Sequence, residues 1–175
     1  MKKLLIISMV IITVLSLAKR EVIKIPNESI RFRIIASSNN KKDQQIKKEL
    51  LKKLTNSINE IEITPNNLEE TRKIIKQNIP QFEKIIEETL KENNYNKQYK
   101  IEYGDNYFPQ KDYKGTTYSE GNYESLVITL GDGLGENFWC VLFPPLCLLE
   151  TSDEEIDDVE YTSFIKEIID KYFWK

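Results

Sequence analysis

Apolar positions along the chain follow two alternating periods, and the switches between them mark its elements. Ile30, Phe32, Ile34 and Ala36 alternate with Arg31 and Arg33, a period of two that predicts a half-buried strand with its arginines outward. Ser37-Ser38-Asn39-Asn40 stops it. From about Lys42 to Ile61 the apolar residues Ile46, Leu50, Leu54, Ile58 and Ile61 recur three or four apart, with Lys47, Lys48, Lys52 and Lys53 on the other sides. This is an amphipathic helix with a narrow core stripe and a lysine-rich, solvated back. A second helical stripe runs through Leu68, Ile75, Ile79, Phe82, Ile86 and Leu90 to about Asn93. Thr64-Pro65 followed by Glu69-Glu70 supplies its start signal, and Pro80 predicts a kink or two helices abutting near Asn78.

Period two then returns. Tyr99, Ile101 and Tyr103 face one way and Lys100 and Glu102 the other, followed by a turn-rich stretch through Gly104-Asp105 and Lys114-Gly115. Between Tyr123 and Leu130, Leu126, Ile128 and Leu130 share one face and Tyr123 and Val127 the other, so both faces are covered. Gly131-Asp132-Gly133-Leu134-Gly135 makes a tight connection into a strand from Phe138 to Phe143, apolar on both sides and ended by Pro144-Pro145. Residues 153–160 hold six acids in eight positions and read as an exposed linker; Phe164, Ile165, Ile168, Ile169 and Tyr172 then have helical spacing. The order predicts an α+β two-layer domain: an N-terminal strand, two or three helices on one face of a mainly antiparallel sheet, and a C-terminal helix.

Composition narrows the chemistry. With 175 residues the chain builds one packed domain, residues 19–150, followed by the acidic linker and helix of 151–175. There is no histidine, which excludes Ser-His-Asp and Cys-His catalysis and His-containing zinc sites, and two cysteines are too few for a Cys₄ site. No cofactor or metal is expected. The net charge of −3 conceals 22 Lys+Arg against 15 Asp+Glu in residues 1–114 and 3 against 13 in residues 115–175. Lysines interleave with glutamates and no aromatic-studded basic groove is present, so nucleic acid is not an expected partner.

Lys2 and Lys3 precede an apolar run from Leu4 to Ala18, closed by Ser16-Leu17-Ala18 before Lys19-Arg20, the three-part pattern of a signal peptide. Its fifteen residues reach about 22 Å as a helix, short of a hydrocarbon core of roughly 30 Å. Residues 1–18 are therefore read as a cleaved signal, with a short retained anchor as the alternative. Under either reading the rest works outside the cytoplasm, and membrane contact is confined to this segment. In an oxidising exterior Cys140 and Cys147, with Pro144-Pro145 between them, are candidates for a disulfide, the alternative being two buried thiols.

Catalytic constellations are missing. Gly131 to Gly135 lacks the following helix and the Lys-Ser/Thr of a phosphate loop, and the acids after Asp153 lack the ligand spacing of a calcium loop. Glu120, Glu124, Asp132 and Glu136 surround the last strands, which keeps a carboxylate-dependent secreted hydrolase as one competing class and a membrane-anchored envelope protein as another. The chain is read as a binder rather than an enzyme. Its most suggestive surface is Phe138–Leu149, with Trp139, Phe143, Pro144, Pro145 and Leu146 as the candidate partner interface; a central strand with a buried return loop is the competing reading.

Two blocks of residues carry a resemblance. The first is Ile25-Pro26-Asn27-Glu28-Ser29-Ile30-Arg31-Phe32-Arg33-Ile34-Ile35-Ala36-Ser37 with Asp43-Gln44 and Lys47. The second runs from Phe108-Pro109 through Lys111, Tyr113, Gly121, Tyr123-Glu124, Leu126 and Gly131 to the string Asn137-Phe138-Trp139-Cys140-Val141-Leu142-Phe143-Pro144-Pro145-Leu146-Cys147. In these blocks the chain resembles the stage II sporulation protein R family of endospore-forming bacteria. It departs from the family pattern at Phe138, at Ser119-Glu120 and at Lys114. The resemblance implies a forespore signal exported into the space between the two sporangial membranes. There such proteins trigger a mother-cell membrane aspartic protease that processes the sigma-E precursor, the expected partner.

Overall fold

A computed structural model of the chain describes residues 23–24, 28–61, 67–113, 116–147, 168–169 and 171–172. The signal-type segment, the acidic run and most of the expected terminal helix lie outside the described residues. The elements are β1 (Ile23–Lys24), β2 (Ile30–Ile35), α1 (Lys41–Glu60), α2 (Leu68–Glu92), β3 (Tyr99–Phe108), β4 (Lys111–Tyr113), β5 (Thr116–Tyr118), β6 (Gly121–Leu130) and β7 (Asn137–Phe143).

Helix α1 starts where Asn40 accepts from the Asp43 backbone N–H, satisfying a donor that the first turn cannot pair internally. Its stripe of Ile46, Leu50, Leu54 and Ile58 is buried, as the spacing predicts. Lys47 departs from that reading: it is buried, and its Nζ donates to the Glu136 carbonyl at 2.9 Å. Helix α2 starts at Asn67, which accepts from the Glu70 N–H at 2.9 Å, with Glu69 and Glu70 in the first turn at the positive end of the dipole. It then continues unbroken through Pro80, where the sequence predicts a kink or a break. The proline removes the donor for the Lys76 carbonyl, but Lys76 and Pro80 both lie on the exposed side, where water can serve that oxygen. Buried Ile75, Phe82 and Ile86 pin the helix on either side of it.

The main sheet has the order β3-β6-β2-β7. β3 and β7 run antiparallel to their neighbours, and β2 and β6 are parallel, giving a mixed, mainly antiparallel sheet. Strand β3 extends to Phe108, so Gly104-Asp105 is strand rather than turn. The pairing with β6 carries through Gly104, which lies opposite Ser125, and the Asn106 side chain donates to the Gly104 carbonyl and to Ser125 Oγ. β6 and β7 are consecutive in sequence, yet β2 lies between them, so residues 131–136 must cross the end of β2. Gly131 makes that possible: its φ is +52°, and a Cβ there would stand 2.3 Å from Ser37 Oγ. A small second sheet has the order β1-β5-β4.

Both helices pack on one face of the main sheet. Ile30, Phe32, Ile34, Leu126, Ile128, Leu130, Cys140 and Leu142 meet Ile46, Leu50, Leu54, Ile75, Phe82 and Ile86 there in a single core. This is the two-layer α+β arrangement that the periodicity predicts. Of the C-terminal region, Ile168, Ile169, Lys171 and Tyr172 are helical; Ile169 is buried and Tyr172 stacks edge-on against Phe143 at 5.5 Å.

Candidate functional site

The opposite face of the sheet is chemically different. Its apolar members are Phe108, Tyr123 and Val127, with Ile35 and Trp139 packed beside them. Arg31 and Arg33 also point to this side, since alternate residues of β2 leave Ile30, Phe32 and Ile34 to the helices. The outward arginines that the alternation predicts are not outward: Arg31 is 1% exposed and Arg33 is half-buried. β2 is an interior strand, and β4 and β5 bring Lys111 and Tyr118 over the same face.

The result is a ladder of cations and rings. The Arg31 guanidinium lies 3.3 Å from the Tyr123 centroid, 5.2 Å from Phe108 and 6.0 Å from Tyr118. Arg33 is 5.7 Å from Phe108 and 5.6 Å from Trp139, and Lys111 Nζ is 5.2 Å from Trp139. Phe108 stands edge-on to both Tyr123 and Trp139. Such cation–π contacts are worth about 0.5–2 kcal/mol each, depending on desolvation. Burial nevertheless holds both guanidinium groups below the usual arginine value; for Arg31 it outweighs the opposing pull of Tyr123 and Tyr118. Arg31 Nη2 donates to the Ser119 carbonyl at 3.4 Å, while Nε and Nη1 have no acceptor. The indole N–H of Trp139 and the hydroxyl of Ser29 are likewise buried without a hydrogen bond.

Of the candidate interface residues, Phe143, Pro144 and Leu146 are buried within the chain, and Trp139 and Pro145 are half-buried. The first three cannot present a free surface, because the return after β7 folds inward: the Leu146 N–H donates to the Val141 carbonyl, and Phe143 sits against Tyr172. Cys140 and Cys147 are joined as a disulfide, buried at the edge of the helix-side core. Of the carboxylates considered above, Glu124 is committed to Arg72 Nε at 2.8 Å and accepts from the Tyr103 hydroxyl. Asp132 and Glu136 are exposed in the loop that crosses β2, and Glu120 is exposed ahead of β6.

A second polar cluster, missed from sequence, joins the end of β2 to the start of α1. Asp43 is 2% exposed and accepts from Ser38 Oγ at 2.6 Å, the Tyr95 hydroxyl at 2.8 Å and Lys97 Nζ at 3.0 Å. Burial opposes its charge, but these donors and the Lys97 cation prevail and lower its pKa to about 2. Tyr95 is pushed up to about 12, by burial first and then by Asp43. Lys97 also donates to Ser37 Oγ at 2.8 Å, a spacing that would suit a Ser-Lys nucleophile. Ser37 is only 1% exposed, so its hydroxyl is not presented to a substrate, and Lys97, exposed at the surface, is ion-paired to Asp43. The cluster is a lock: the N–H groups of Leu134, Gly135 and Glu136 donate to the Ser37 and Ala36 carbonyls and Asn39 Oδ1, fixing the crossing loop to it. The Asn40-x-x-Asp43 spacing of a helix start was its sequence signal.

Among the described residues no group of three His, Cys, Asp or Glu could hold a metal ion, and no helix is long and apolar enough to cross a membrane. A groove of about 390 Å³ on α2 is lined by Glu69, Arg72, Lys73, Lys76 and Gln77, but Arg72 is already bonded to Glu69 and Glu124.

Among known proteins, residues 26–153 match the family described as Stage II sporulation protein R (spore_II_R). Stage II sporulation protein R of Bacillus subtilis (strain 168) is 37% identical over 172 residues, an alignment covering 89% of this chain and 75% of that protein. No solved structure matches.

Proposed function

The chain belongs to the stage II sporulation protein R family and thus to the proteins of sporulation, and on that premise we propose that it is an extracytoplasmic signal between the two cells of the sporangium. In this reading it is made in the forespore and exported into the space between the membranes. It there activates the mother-cell membrane aspartic protease that processes the sigma-E precursor. The family match over residues 26–153 carries the reading. The Cys140–Cys147 bond fits an oxidising compartment, and the apolar segment from Leu4 to Ala18 fits export.

A ligand activates a protease only by binding its active state more tightly than its inactive one, for example by favouring a dimer that brings paired aspartates together. The contact proposed is the second sheet face around Trp139 and Arg33, because the Phe143-Pro144 return is inside the fold. The test adds the purified, oxidised chain to the extracytoplasmic side of vesicles carrying the protease and the precursor, and follows precursor cleavage. Dose-dependent cleavage is the expected result; none from well-folded protein would defeat the reading.

A further inference from the structure

We propose that the Arg31–Arg33–Trp139 face is a receptor for an acidic segment of the partner protein, a carboxylate side chain entering between Arg33 and Trp139 toward Arg31. The inference rests on the signalling reading above and names the chemistry that its contact recognises.

Its basis is an unmet demand for an acceptor. The ion pairs of Lys53 with Glu49 and Glu92, Arg72 with Glu69 and Glu124, Lys84 with Glu88, Lys97 with Asp43 and Lys100 with Glu102 involve neither Arg31 nor Arg33. Two N–H groups of Arg31 are unmatched, and the Trp139 indole N–H, on the same side, is also unmatched. With its amide oxygen turned toward the guanidinium, Asn137 gives Arg33 a neutral acceptor, 2.7 Å from Nη2. Buried donors left unmade are costly, and a buried guanidinium without a counter-charge more so. An arriving carboxylate removes that cost and gains charge-assisted, two-pronged hydrogen bonds.

The geometry favours a peptide over a free oxyanion. The cations do not converge on one point; they are spread along the face with rings between them, so aromatic surface is offered beside each charge. A peptide with acidic and apolar side chains uses both, whereas inorganic phosphate uses only the charge. The rings also hold the guanidinium groups in place before binding, which lowers the ordering cost.

The test uses the oxidised full chain carrying ¹⁵N-tryptophan, whose two indole resonances arise from Trp139 and Trp174 and are assigned with Trp174→Phe. N-acetylated, C-amidated hexaglutamate is titrated against hexaglutamine and inorganic phosphate. The expected result is a saturable shift of the Trp139 resonance with hexaglutamate alone, weakened at least about tenfold in Arg33→Gln and unchanged in Lys84→Ala. Arg33 is chosen because it is half-buried and so open to solvent on one side, whereas Arg31 is 1% exposed; matching thermal midpoints check the fold. No Trp139 shift, an equal shift in Arg33→Gln, or the same shift from phosphate would each overturn the proposal. The titration contains no protease, so a chain that binds hexaglutamate but triggers no cleavage defeats the signalling reading and leaves the acidic-segment receptor standing.

Discussion

The same four strands present two faces that handle burial in opposite ways. Toward the helices, β2, β6 and β7 show Ile30, Phe32, Ile34, Leu126, Ile128, Leu130 and Leu142, and the core they form with α1 and α2 is closed and apolar. Toward the small sheet the same strands show Arg31, Arg33, Tyr123 and Trp139, and donors are left without acceptors. Apolar burial near 25 cal/mol per Å² makes the first face the main source of stability. The second face keeps charges that a purely structural layer would replace with apolar groups at little loss. On the proposed reading, folding and recognition fall to opposite sides of one sheet.

Substitutions that separate the faces sharpen this comparison or break it. The largest effect belongs to the helix side: Phe82→Ala should cost about 3–5 kcal/mol in urea unfolding, since Phe82 is fully enclosed between α2 and the sheet. A loss below about 1 kcal/mol would mean that the core is not where the stability resides. Next comes the disulfide. The Cys140→Ser, Cys147→Ser pair should lose about 2–3 kcal/mol, the value expected for so short a loop, measured as the difference between oxidised protein and the double variant.

Third is the Asp43 lock. Its folded pKa is depressed to about 2, so its contribution is present above the unfolded carboxylate value near 4 and is lost as pH falls through about 2. Wild type should shed about 2 kcal/mol between about pH 5 and pH 2 from this group, and Asp43→Asn should lack that part of the acid dependence. The smallest stability effect is expected on the second face. Arg31→Met should move the unfolding free energy by less than about 1 kcal/mol, because the lost cation–π contact is offset by removal of a poorly matched buried charge. A loss of several kcal/mol would make Arg31 a structural strut and erase the contrast between the faces.

What the sequence disclosed followed from local spacing. The α1 stripe, the two faces of β6 and the apolar β7 are periodic over several residues, so their burial could be read before any contact was known. The family blocks and the Cys140–Cys147 spacing were legible for the same reason. What stayed hidden depends on residues far apart in the chain. The alternation around Arg31 and Arg33 reads as solvent-facing, but Phe108, Tyr118, Ser119 and Tyr123, all far along the chain, return to cover Arg31. The insertion of β2 between β6 and β7 is equally non-local. Lys47 reads as surface until Glu136 arrives to accept from it. Pro80 misleads for a different reason: a broken helical hydrogen bond matters less on a wetted side than in a buried one. Composition marked Phe138–Leu149 as unusually apolar but not which way its side chains point: Phe143 and Leu146 turn inward while Trp139 stays half-buried.

The most direct test of the division between faces is the dose–response of precursor cleavage in protease-bearing vesicles, for wild type and Arg33→Gln at matched thermal midpoints. The account predicts that wild type triggers cleavage and that Arg33→Gln needs at least about tenfold more protein for the same rate, with its unfolding unchanged. A dose–response identical to wild type would contradict it.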